Sequence, residues 1–169
     1  MLYENPKSTA KIGGHPIHHM LVVFPIAFWF GALACDLTYL AGGREDWAQA
    51  ALWLTGAGVV TALIAALAGF ADFFGDNRIR AIRDAWRHMI GNLIAVALAA
   101  ISWAVRVVQG AEAGVLPWGL ALSAAVAVIL LYTGWKGGEL AYRHRVGVMQ
   151  PPSDAISDQP QTVRTRERI

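Results

Sequence analysis

Residues 14–20 read GHPIHHM and stand directly before the apolar run LVVFPIAFWFGALA. His15, His18 and His19 therefore bring three imidazoles to the edge of a hydrophobic segment. A neutral imidazole nitrogen is the commonest metal ligand in proteins. Two imidazoles from facing helices can also clamp a haem iron, and helix bundles build cofactor sites in this way. His88 opens another apolar segment and is the natural partner of His18, or of His19, which faces about 100° away on a helix. Asn92 lies four residues beyond His88 on the same helical face, where it could hydrogen-bond a ligand or its surroundings. Asp72 and Glu139, taken with His15, His18, His88 and His144, favour instead a divalent metal ion, since imidazole mixed with carboxylate suits iron, zinc or manganese. Cys35 is the single cysteine and neither HExxH nor CxxCH occurs, so no linear motif selects a metal. The plainer reading is that these are amphipathic side chains resting at a membrane surface without a ligand.

The elements that must position these residues follow from composition. Hydrophobic residues make up 56% of the 169 and charged residues 15%, where a soluble domain carries about 25% charged. Four stretches, at about 20–41, 48–70, 89–108 and 117–135, each satisfy the roughly 20 residues that a hydrocarbon core requires. An all-α, integral membrane four-helix bundle is expected over 1–148, in a lipid bilayer and with no nucleic-acid partner. The polar residues before the first stretch, with Pro6 and Pro16, are unlike a secretory leader, so that span is read as uncleaved. Residues 149–169, rich in Pro, Ser, Gln and Arg, have too few apolar side chains to order themselves and are expected to form a disordered tail.

Four spans put both chain ends on one side. Lys7, Lys11, Arg78, Arg80, Arg83, Arg87, Lys136, Arg143 and Arg145 fall on that side, with three arginines of the tail, against Arg44 and Arg106 on the other. Loops rich in Lys and Arg stay cytoplasmic, which predicts a bacterial inner-membrane protein with both termini inside. All five histidines then share one cytoplasmic layer with Asp72 and Asn92. Residues 77–88 (NRIRAIRDAWRH) and the stretch after Trp135 are expected to run along that surface as short helices, Gly137 and Gly138 permitting a turn.

Helices in lipid associate through close packing and polar contacts. Gly58, Ala62 and Ala66, then Ala65 and Gly69, then Gly91, Ala95 and Ala99 supply small-residue stripes, and Pro25 is expected to bend the first helix. Pro117 is expected at the first turn of the fourth. Asp36 is sixteen residues past Met20 and Arg106 eighteen past His88, so the two reach similar depth. An intramembrane charge is costly without a partner, and a structural ion pair between Asp36 and Arg106 is expected. No internal repeat is visible in the sequence.

GHPIHHMLVVFPIAF followed by CDL, then AGFADFFG, HMIGN and GGELAYRHRVGV resemble a bacterial predicted membrane protein family, domain of unknown function 2231, over about residues 13 to 148. The resemblance implies a four-helix inner-membrane protein of undefined role. It also implies a likeness in helix number and histidine placement to small haem-b membrane cytochromes. Two function classes emerge. One is a redox-linked protein holding haem b or a metal ion through His18 or His19 and His88, with a redox partner. The other is a non-catalytic scaffold or accessory subunit packed against another membrane protein. No nucleophile–base pairing points to an enzyme.

Overall fold

A computed structural model describes residues 5–149; most of the expected tail, from residue 150 on, lies outside the described residues. Four helices long and apolar enough to cross a membrane occupy Ile17–Gly42, Glu45–Gly75, Arg83–Gln109 and Val115–Arg143. Even the shortest, at 26 residues, is about 39 Å long at 1.5 Å per residue, against about 30 Å of hydrocarbon. The surplus turns carry the polar residues that flank each apolar run.

A hairpin precedes the helices. β1 (Lys11–Ile12) and β2 (His15–Pro16) pair antiparallel, Ile12 opposite His15. Between them Gly13 and Gly14 take φ of 56° and 84°, the left-handed pair that a two-residue hairpin turn demands. α1 (Ile17–Leu21) and α2 (Val23–Gly42) form the first span, interrupted only at Val22. That interruption sits next to Leu21, whose carbonyl would have bonded the N–H that Pro25 lacks. α3 (Glu45–Gly75) follows a tight corner in which Gly43 is left-handed, φ 64°, the usual way to end a helix.

Two expected boundaries are corrected. The surface helix foreseen over 77–88 is confined to α4 (Asn77–Ala81); Ile82 is extended, and Arg83 through His88 already belong to α5 (Arg83–Gln109). Polar residues that keep a helix going beyond the hydrocarbon read as a separate segment in a hydropathy profile. Pro117 does not open a regular helix either. It lies in a wide turn, Val115–Gly119, after an extended Leu116, as proline requires of the residue before it. α6 (Leu120–Gly138) then runs through Gly137 and Gly138 without turning, and a second wide turn covers Glu139–Arg143.

α2 packs on α3, α3 on α5, α5 on α6 and α6 on α2, so the first and third spans face each other across the bundle axis. Between them lies a core of Trp29, Val59, Ala62, Ala95, Val126 and Leu130. Gly58 supplies the space for the Trp29 indole, whose Nε1 donates to the Thr55 carbonyl at 3.3 Å. Large apolar side chains face outward: Trp53, Leu67 and Leu131 are 68%, 72% and 66% exposed, a surface suited to lipid and not to water.

At one end of the axis Arg106 reaches across the diagonal to Asp36, Nη1 to Oδ1 at 2.8 Å and Nη2 to Oδ2 at 2.7 Å. Both side chains are fully buried. Nη2 also donates to Ser123 Oγ at 3.2 Å and Nε to Ser102 Oγ at 3.4 Å, so the guanidinium is tied to three other side chains. Gly114 and Gly119 close over Arg106 where a Cβ would collide with it.

Candidate functional site

The histidines occupy the opposite end of the same diagonal. His18, in α1, donates from Nδ1 to the carbonyl of Ala65 in α3 at 2.9 Å. His88, in α5, donates from Nδ1 to the carbonyl of Thr133 in α6 at 2.8 Å. The residue four places after each acceptor is glycine, Gly69 and Gly137. A helical carbonyl has a second lone pair to offer, but the Cβ of the residue four on leans back over it. Without that Cβ the ring can approach: a methyl group at Gly69 would lie 2.9 Å from the His18 ring, and one at Gly137 3.0 Å from His88. The same device is thus used twice, once in each half of the chain.

Because a carbonyl only accepts, both rings carry a proton on Nδ1, and a neutral ring so placed leaves a lone pair on Nε2. Asn92 Nδ2 donates to His88 Nε2 at 3.1 Å and to the His88 carbonyl at 2.9 Å. Its Oδ1 accepts from Thr133 Oγ1 at 3.1 Å, which orients the amide. The His18 and His88 ring centres are 6.3 Å apart with planes at 87°. They border a cavity of about 340 Å³ whose other walls are mainly apolar, including Pro25, Trp29, Phe73, Val96 and Leu130. His19 lines its more exposed edge, its ring centre 6.0 Å from that of His18.

The remaining candidates lie elsewhere or are otherwise engaged. His15 is exposed and its Nδ1 meets the Gly13 carbonyl at 3.1 Å. His144 stands 3.8 Å from Asp84, outside the cavity. Asp84 also meets Lys136 and Arg87, each at 3.2 Å, and Lys136 bonds Glu139 at 2.6 Å, a charged cluster that ties α5 to the end of α6. Asp72 borders the cavity, but its Oδ1 accepts from Ser8 Oγ, Thr9 N and Ala10 N, each at 2.8 Å. The five residues considered for a metal ion, His15, His18, Asp72, His88 and His144, are therefore not gathered at one point. Among the described residues no three His, Cys, Asp or Glu are grouped to hold a metal ion.

Asp72 and Asp76 instead fasten an N-terminal strap, residues 5–10, beneath the bundle. Asp76 Oδ2 accepts from Lys7 N at 3.0 Å, Gly147 N donates to the Pro6 carbonyl at 2.9 Å, and Asn5 Nδ2 to the Val148 carbonyl at 3.1 Å. Arg78 beside Asp76 holds its carboxyl well below the ordinary 3.8, outweighing desolvation and helped by the Lys7 and Arg78 amides. A depressed carboxylate stabilises above its ordinary pKa and loses that contribution only as pH falls below it, so this anchor should persist to about pH 4. Hydrogen bonds to a charged group each contribute about 1.5–3 kcal/mol. Asp72→Ala is accordingly expected to free the strap and to speed tryptic cleavage after Lys7 and Lys11, with Asp72→Asn intermediate. Unchanged cleavage in Asp72→Ala would show that the strap is held by other contacts.

Sequence reasoning places His18, His88 and Asn92 on facing helices but gives Ala65 and Gly69 only a packing role and Gly137 only a turn, and does not single out Thr133. The small pair at residues 65 and 69 was the only signal for half of the device. No curated protein and no solved structure matches the chain. Residues 14–150, most of the chain, match the family described as Predicted membrane protein (DUF2231), and the chain belongs to that family.

Proposed function

We propose that this is an integral inner-membrane protein, both chain ends cytoplasmic, that holds haem b between His18 and His88 and serves one-electron transfer with a redox partner. The orientation follows from the concentration of Lys and Arg at the histidine end. What carries the haem reading is a pair of imidazoles already tied by Nδ1 to main-chain carbonyls and set 6.3 Å apart. Both rings border one cavity, so His18 and His88 would be the residues to hold the iron. Ligating histidines characteristically donate the other N–H to a carbonyl or carboxylate. A bare ion takes three or four protein ligands, which the described residues do not group here, whereas a porphyrin would supply nitrogens of its own. The apolar cavity suits a macrocycle. With haem held, Asn92 would keep its bonds to the His88 carbonyl and the Thr133 hydroxyl. The haem would supply a one-electron couple.

The test is to purify the full chain in detergent, record the reduced-minus-oxidised visible spectrum, and titrate the colourless fraction with haem. A Soret band is expected in the native protein and in His15→Ala, and is expected to be lost in His18→Ala and His88→Ala. A protein that is colourless, iron-free and indifferent to added haem would overturn the reading in favour of a scaffold or accessory subunit.

A further inference from the structure

At its outer end the histidine cavity is walled in part by chain that lies beyond the apolar run of the fourth span. Leu140, in the wide turn after α6, and Val146 both border the cavity and pack on Phe73, Ile79 and Ala85. The strap, residues 5–10, folds against the same segment, with Asn5, Pro6 and Ser8 buried. The two pieces meet at Gly147, φ 74°. A Cβ there would lie 3.6 Å from Ser8 Cβ, 3.3 Å from Pro16 Cγ and 3.9 Å from His19 Cε1. Main-chain and amide bonds seal the junction, Gly147 N to the Pro6 carbonyl and Asn5 Nδ2 to the Val148 carbonyl.

The strap is fastened differently from the spans. The spans meet in a buried core that includes Ala62, Ala95 and Ala99 and are joined by the fully buried Asp36–Arg106 pair. The strap is held by hydrogen bonds that converge on one carboxylate: Asp72, itself on the cavity wall, accepts from Ser8, Thr9 and Ala10. Thr9 Oγ1 adds a bond to the Ala71 carbonyl at 2.6 Å, in the space that Gly75 leaves. Arg145 is left-handed at φ 53°, which a residue with a side chain disfavours, so the segment clasped by the strap is held against its own preference. Segments fastened in this way open locally at lower free energy than a packed core. A macrocycle bearing propionate carboxylates also enters more readily from the aqueous end than through hydrocarbon, where charge is costly. We propose that the strap and residues 146–148 form a gate, and that release of the strap from Asp72 opens the histidine cavity to the aqueous side and admits the haem. The identity of the ligand rests on the haem reading; the gate itself does not.

Thiol labelling of the full chain in detergent tests the gate without haem. Ala62→Cys puts a thiol on the cavity wall, and Cys35, buried beside Asp36 at the other end of the bundle, is the control within the same molecule. Adding Asp72→Ala should speed labelling of the introduced thiol by a charged maleimide about tenfold or more, since hydrogen bonds to a charged group are lost, while Cys35 stays unlabelled. Gly75→Val, which pushes on Thr9 instead, gives the same direction should Asp72→Ala fold poorly. Unchanged labelling in both variants, or equal acceleration at Cys35, would overturn the gate. Locking runs the experiment in reverse. Ser8→Cys/Gly147→Cys sets two Cβ atoms 3.6 Å apart, within the roughly 3.5–4.5 Å that a disulfide spans. With added haem, the Soret band should grow about tenfold more slowly in the oxidised than in the reduced form of that one variant. Equal uptake by the two forms would place entry between the spans and overturn the gate as the route for haem. Labelling that accelerates as expected in a protein that takes up no haem in either form would overturn the haem reading and leave the gate standing.

Discussion

Replacing Asp36 by Ala while Arg106 remains is expected to destabilise the folded protein by about 3–5 kcal/mol, because the substitution leaves an uncompensated charge in a dry interior. Arg106→Ala should cost a similar amount, since it strands the Asp36 carboxylate and also removes the partner of Ser102 and Ser123. Within lipid the alternative to the pair is worse than in a soluble core, as no solvent can reach a stranded charge. Asp36→Asn/Arg106→Gln, which removes both charges and keeps the hydrogen-bonding shapes, should be less destabilised than either alanine variant. Thermal unfolding in detergent and folded yield read all three. Additive losses, with the double variant the least stable, would show that the two side chains contribute independently despite their 2.7 Å contact.

The second large effect is expected from glycine. Gly69→Leu and Gly137→Leu should each weaken haem retention by about 100-fold, the upper end for disturbing the partners of a metal ligand. Each fills the space through which a histidine reaches its carbonyl, pushing on the His18 or His88 ring from about 3 Å. The fold should survive, because the collision is with the tip of a side chain and overpacking of this kind costs about 1–3 kcal/mol. Gly138→Leu is the control, having nothing within 4 Å of its Cβ position. Normal Soret absorbance in Gly69→Leu and Gly137→Leu would mean that the carbonyl contacts do not position the ligands.

The architecture was readable from hydropathy because lipid selects long apolar runs directly. Element ends were not: Arg83 to His88 look like a surface segment although they are the first turns of the third span, and only the extended Ile82 marks the break. Depth arithmetic matches Asp36 to Arg106 but is silent on Ser123, which comes from a different helix. At the histidine end, side-chain identity singled out His18, His88 and Asn92. The atoms that orient the two rings are main-chain carbonyls, which have no letter in a sequence, and their accessibility is written only as glycine four residues later. Asp72 illustrates the opposite difficulty. A carboxylate near imidazoles reads as a ligand until the strap folds back and saturates it with Ser8, Thr9 and Ala10. No internal repeat is visible, yet the two halves share the ring-to-carbonyl device, because what repeats is one spacing and one histidine in each half.

The placement of the ion pair and the imidazole pair at opposite ends of one diagonal has a mechanical consequence. A single pin would let the first and third spans swivel about it. At the other end His18 ties the first span to the second and His88 the third to the fourth, so advancing either helix by one residue turns it by about 100° and breaks its share of the ion pair and its ring-to-carbonyl bond together. The bundle therefore admits one rotational alignment, and a disturbance at either end is felt as torque at the other.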